Sequence, residues 1–259
     1  MLNLEVADHV RYRSQEQGGV VILDMSAGEW VVLNPTAGDL WRSWQDGAEF
    51  AEAVRDVAER YPDVPVAAIK SDAEHLLSEL IDRHYMQPAV RLPALAAQPP
   101  SAQPPSAAGP GPGRSVGARM AARPGSDPLA PSEWLRSLVA LVFLAAADVL
   151  LRCSFRRACT LVRLSRKSWC QIDLAAGPAS RTVEAVRRAA RWYPGRAACL
   201  ERSLAAALLA AAARRRLDWC LGSVPDPYRF HAWVAVAGQP VAAADDDPDL
   251  DQFDLVLSV

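Results

Sequence analysis

The chain predicts an α+β protein of two domains joined by a proline-rich linker. Three observations carry this reading. Two short β-rich runs precede three helical periods before residue 89, and Pro, Ala, Gly and Ser then dominate from Pro93 to Pro131. Ala- and Leu-rich helical segments return afterwards and give way to two alternating strands near the C-terminus. The resulting bounds are 1–88, 89–131 and 132–259. With 259 residues, 51% hydrophobic and 22% charged, the composition is globular and long enough for two small cores.

The first domain opens with HVRYRS, then GVVILD (Gly19 to Asp24), a turn at MSAG, and EWVVLN (Glu29 to Asn34). Two β-rich runs joined by a Gly-containing turn read as a hairpin. Asn34-Pro35-Thr36 stops the strand and starts a helix bearing Leu40, Trp41 and Trp44. A second helix fits AEFAEAVRDVAERY, with Phe50, Ala53, Val54 and Val57 at helical spacing, and Tyr61-Pro62 ends it. A third runs from Val66 to about Tyr85, with Ile69, Ala73, Leu76, Leu77, Leu80 and Ile81 on one stripe. The domain has no cysteine and its histidines (His9, His75, His84) are scattered, so the pattern points to a binding or accessory module. The linker, rich in Pro, Ala, Gly and Ser, has almost nothing large and apolar to bury. It is expected to be an extended spacer that raises the effective concentration of one module for the other's ligand.

The run from Val20 to Trp41, with its Asn-x-Thr-Ala step, and YPDV at Tyr61 to Val64 resemble the PqqD-like fold, over nearly all of residues 1–88. The resemblance implies a winged-helix-like domain that recognises ribosomally made precursor peptides. Its third strand, here Trp30, Val31, Val32 and Leu33, would pair with the leader, and its last helix would wall the groove with Asp72, His75, Leu76 and Glu79. An exposed strand edge offers unpaired N–H and C=O groups, which suits this mode of capture.

In the second domain, Ser132 is expected to cap a long helix running toward Leu164. Within it, LVALVFLAAADVLL (Leu138 to Leu151) reads as a buried core helix: it is shorter than the ~20 apolar residues a span needs and contains Asp148. A shorter helix fits RTVEAVRRAARWY, and Pro194-Gly195 ends it. From Cys199 to about Arg216 the sequence is Ala- and Leu-rich, with Leu200, Leu204 and Leu208 as a buried row and Arg214 to Arg216 complementing the helix end. Cys199 thus stands in the first turn of a helix, where the partial positive charge favours a thiolate. Taken alone, it would more readily be read as a small apolar packing residue. His231 changes the balance, being the one histidine after His84. It opens HAWVAVAGQPV, a strand in which His231, Trp233 and Ala235 alternate with Ala232, Val234 and Val236 before a turn at Gly238. DWCLGSV (Asp218 to Val224) is its expected partner. A helix-start cysteine and a strand-borne imidazole are the nucleophile and base a thiol protease needs.

The run CLERSLAAALLAAAARRR … FHAWVAVAGQPV is similar to the leader peptidase of lasso-peptide biosynthesis, a transglutaminase-like cysteine protease. The resemblance implies a papain/transglutaminase-like fold, Cys199 in Cys-Leu-x-Arg-Ser as nucleophile, His231 in His-Ala-Trp-Val as base, a precursor peptide as substrate and an ATP-dependent lasso cyclase as partner. That family places an acid shortly after the histidine hairpin. Here Pro240 to Ala244 occupy the stretch, and the acids begin at Asp245. Asp245 either orients His231 as a third triad member or belongs to a solvated acidic loop. The altered acid region leaves a non-catalytic peptide chaperone as one rival reading, and a transglutaminase-like acyltransferase is another.

A formal net charge of −2, without aromatics interleaved among basic residues, gives no footprint for nucleic acid. Cys153, Cys159 and Cys170 lack zinc spacing, no phosphate-binding glycine loop occurs, and neither metal nor cofactor is expected. Five cysteines without an export signal point to free thiols and a cytoplasmic address.

Overall fold

The computed structural model describes residues 4–88, 131–170, 172–225, 227–241 and 250–259. The first module contains β1 (Leu4–Val6), β2 (Val10–Ser14), β3 (Val20–Asp24) and β4 (Glu29–Leu33). These are followed by α1 (Pro35–Gln45), α2 (Phe50–Arg60), α3 (Val66–Asp82) and β5 (Met86–Pro88). Strands β2, β3 and β4 form an antiparallel meander. Its second turn forms because the Asp24 carboxylate accepts from the Ser26 N–H at 2.6 Å and Gly28 takes φ +75°. Asn34 then caps α1, accepting from the Ala37 N–H at 2.9 Å, with Pro35 in the first turn. Trp41, Trp44, Val57, Ala73 and Leu80 pack these helices onto Val20, Ile22 and Leu33.

Two expectations for this module change. Ile81 is 39% exposed, because Leu80 and Tyr85 already fill the last turn of the core face. Helix α3 stops at Asp82, since His84 at φ +60° turns the chain into β5, which pairs antiparallel with β1. Neither three-residue strand is long enough to show alternation in sequence.

The second module contains α4 (Pro131–Cys153), α5 (Phe155–Ser168), β6 (Ile172–Asp173), α6 (Ala176–Ala190) and α7 (Cys199–Ala212). Its strands continue with β7 (Arg215–Arg216), β8 (Asp218–Val224), β9 (Arg229–Val236) and β10 (Gln239–Pro240). A 3-10 turn (Leu250–Gln252) leads into β11 (Asp254–Ser258). The sheet order is β10-β9-β8-β11, antiparallel throughout. Helix α7 packs one face of this sheet through Leu204, Ala205 and Ala207 against Trp219, Leu221, Ala232 and Val234. Small side chains let the helix backbone come close. On the other face Cys220, Trp233 and Ala235 pack with Leu250 and Phe253.

Several expectations are corrected here. The long helix breaks at Ser154, whose side chain caps α5 by accepting from the Arg157 N–H at 3.4 Å. The first piece begins at Pro131, so Ser132 lies inside it. That helix is not buried all round. Ala140, Leu144 and Ala147 face the core, while Leu135, Val142 and Val149 are 60%, 66% and 59% exposed. By length and composition alone, Glu133–Cys153 is apolar enough to cross a membrane, although Asp148 is buried against the protein. In α7, Leu204 is buried, whereas Leu200 and Leu208 are half-buried, because the alanines carry the packing. The arginines after α7 do not serve its end. Arg214 at φ +55° leaves the helix, and Arg215–Arg216 pair in parallel with β6, where Arg216 meets Asp173.

The two modules share a core. Leu23 and Met25 of the first belong to the same buried cluster as Leu144, Phe155 and Trp219 of the second. Gly28 makes this possible, since a Cβ there would lie 3.0 Å from Phe155 Cβ.

Candidate active site

Cys199 begins α7 because the loop before it is pinned on both sides. Tyr193 donates its hydroxyl to Asp148 Oδ2 at 2.7 Å, and Arg152 donates to Asp148 Oδ1 at 2.9 Å. Those two hydrogen bonds, led by that of Arg152, hold the Asp148 carboxyl below its ordinary range. The anchor is therefore present at neutral pH and is lost as acid titrates Asp148 through its lowered value. Gly195 lets Tyr193 fold back, since a Cβ there would come within 2.5 Å of the tyrosine ring. On the helix side, buried Glu201 accepts from the Ala198 N–H at 3.0 Å and pairs with Arg196 at 3.2 Å. Trp219 on β8 donates to Ser203 Oγ at 2.9 Å and ties α7 to the sheet.

His231 is half-buried on β9, with its ring centroid 5.4 Å from Phe253 and 6.3 Å from Trp233. Gly222 stands directly opposite it on β8. Cys199, Arg202 and Ser203 from α7 line a small cavity together with Arg187 from α6 and His231 and Trp233 from β9. The structure thus brings Cys199 and His231 to one cavity. Asp245 lies outside the described residues.

The remaining cysteines have other surroundings. Burial pushes the thiols of Cys159 and Cys220 up to about 11, and it also raises that of Cys170. No disulfide joins any of the five. Treatment of the native protein with iodoacetamide at pH 7.5, followed by peptide mapping, is expected to modify Cys199 and exposed Cys153 well before Cys159 and Cys220. Equal modification of all five in the folded state would contradict these environments.

The sequence-predicted peptide-binding residues divide by face. Val31 and Leu33 point into the first module's core, while Trp30 packs against the second module. Val32 is half-buried. On α3, Asp72, His75 and Glu79 are exposed and Leu76 packs partly on the core. Glu79 pairs with Arg83 at 2.8 Å. Arg83 is held more firmly charged by the Tyr85 hydroxyl first, then by Glu79, with a further contribution from Glu29 on β4.

Residues 141–258 match the family described as Transglutaminase-like superfamily. Residues 19–85 match the one described as Coenzyme PQQ synthesis protein D (PqqD). Two parts of the chain thus match known families, a PqqD-like element and a transglutaminase-like domain. This is the pairing implied by the resemblance to a lasso leader peptidase fused to such an element. A solved structure, "TbiB1 in Complex with the TbiA(beta) Leader Peptide", aligns with 34% of this chain and 99% of its own, at 18% identity and a TM-score of 0.30. No curated protein matches the chain.

Sequence reading passed over several residues that shape the transglutaminase-like site. Gly222 was legible in principle, since a glycine within a strand marks close approach of a backbone or ring. Asp148 also left a signal, as a lone carboxylate in an apolar helix. Tyr193 and Glu201 left none, because their roles depend on partners that only the fold supplies.

Proposed function

We propose that the chain is a leader peptidase of the lasso-peptide type, which captures a precursor by its leader and cuts the leader from the core. The observation that carries this reading is the shared cavity of Cys199, at the start of α7, and His231, on β9. His231 takes the Cys199 thiol proton, and the thiolate attacks the scissile carbonyl. The C–N bond breaks as His231 returns the proton to the leaving amine. Water, deprotonated by His231, then attacks the thioester and releases the leader carboxylate and the free thiol. The Cys199 N–H, in the first turn of α7, has no acceptor within its helix and is proposed to stabilise the oxyanion. Arg202 and Arg187 add positive charge to the cavity wall.

The leader would add along β4 as a further strand, beside Trp30 and Val32, with Asp72, His75, Leu76 and Glu79 walling the groove. The chemistry is placed in the cytoplasm, where unpaired cysteines stay reduced. An ATP-dependent cyclase would take the released core. The domain limits 1–88, 89–131 and 132–259 remain part of this proposal.

The test incubates the purified chain with a leader-containing lasso precursor, with and without an ATP-dependent lasso cyclase. Mass spectrometry is expected to show free leader. Intact precursor in both arms would remove the protease reading and leave the chaperone. An amine adduct of the leader would favour acyl transfer. Asp245→Ala is expected to lower kcat about 10- to 10⁴-fold if the carboxylate orients His231. Unchanged kcat would assign it to the solvated loop.

A further inference from the structure

Strand β3 carries four consecutive apolar residues, Val20 to Leu23, and every residue of it is buried. A strand with one face in water alternates, whereas an unbroken apolar run belongs to a strand covered on both faces. The second cover here is the transglutaminase-like domain. Val20 and Ile22 pack with the first module's helices, while Leu23 joins the core of the second. Strand β4 is divided in the same way. Val31 and Leu33 turn inward, and Trp30 stacks on Phe230 of β9 with ring centroids 4.6 Å apart and planes 23° apart. Gln15 adds a donor to Ser223 Oγ at 3.4 Å, and Ser223 is the register partner of Phe230. Phe230 directly precedes His231 and keeps 36% of its surface exposed. Among the described residues, β4 pairs with β3 and with no other strand, so its outer edge ends the sheet.

We propose that Phe230 is a positioning residue. Stacked on Trp30, it fixes the open edge of β4 relative to the strand that carries His231, so that a peptide captured on β4 meets Cys199 at a set distance. This rests on the leader-peptidase reading, and it replaces the loose effective concentration of a tether with a fixed geometry. Holding a bound substrate in register accelerates the bound complex without tightening it. The contact therefore acts on kcat and leaves KM alone.

The experiment compares the full-length chain with Phe230→Ala and Phe230→Tyr by three readouts. In calorimetry without any peptide, the wild-type chain is expected to unfold in one transition and Phe230→Ala in two. With the precursor used above, Phe230→Ala is expected to lower kcat about 10-fold or more with KM within twofold, and Phe230→Tyr, which keeps the stack, to restore it. The pH dependence of Cys199 alkylation by iodoacetamide is expected to be the same in all three, showing an undisturbed Cys199–His231 pair. Two transitions in the wild-type chain would overturn the proposal whether or not it cleaves. So would an unchanged kcat in Phe230→Ala, or an alkylation profile altered along with kcat. A wild-type chain that unfolds in one transition but cleaves nothing would remove the protease reading while leaving the docking of the two modules standing.

Discussion

Cys199→Ala is expected to abolish precursor cleavage, lowering kcat by at least ~10³-fold, while leader binding and the melting temperature stay close to wild type. The split follows from where the residue stands. Cys199 is half-buried at the start of α7 and lines the cavity, so removing its sulfur takes away the atom proposed to form the acyl bond and little of the packing. Helix α7 keeps its start because Glu201 still accepts from Ala198 and pairs with Arg196. His231→Ala is expected to fall nearly as far, since the two groups act as one unit and their losses do not add. Mass spectrometry of the precursor, with anisotropy of a labelled leader alongside, measures both halves of the statement. Cleavage by Cys199→Ala at a tenth of the wild-type rate would assign the thiol a packing role.

Gly222→Val is expected to cost about 3 kcal/mol of stability, since inserting carbon into a close-packed site forces neighbours apart. A Cβ at this position would lie 2.5 Å from the Asp254 carbonyl oxygen and 2.7 Å from Trp233. The first contact is backbone of β11, and the second is a ring packed against Phe253. Neither can retreat without opening the sheet. Gly222 is also the register partner of His231, so the strain falls on the strand position that holds the proposed base. Cleavage is expected to drop more than the folded fraction accounts for. Denaturant unfolding read beside kcat separates the two effects. A midpoint and kcat unchanged from wild type would show that the sheet absorbs the extra carbons.

The hairpin and the three helices of the first module were readable because each depends on neighbours in sequence. The Asx turn at Asp24 and the Asn34 cap are local hydrogen bonds, and the stripe from Ile69 to Leu80 is a local period. Strands β8 and β9 were readable for the same reason. The break at Ser154 was missed although Ser154 is a good cap residue, because the apolar pattern runs on through it into α5. Strand β11 was missed because a bulge between Leu255 and Leu257 spoils its alternation.

The site divides along the same line. Cys199 at a helix start and His231 on a strand follow from composition and periodicity, which are local properties of the chain. Their arrival at one cavity depends on α7 lying against β9, a contact between residues some thirty positions apart, and no periodicity encodes that closure. The apolar run of β3, Val20 to Leu23, is the pattern of a strand covered on both faces, although the hairpin reading of it did not use this. Only the tertiary structure decided that the second cover is the domain bearing Cys199 and His231, because that choice depends on shape and on partners such as Phe155 and Phe230 lying more than a hundred residues away.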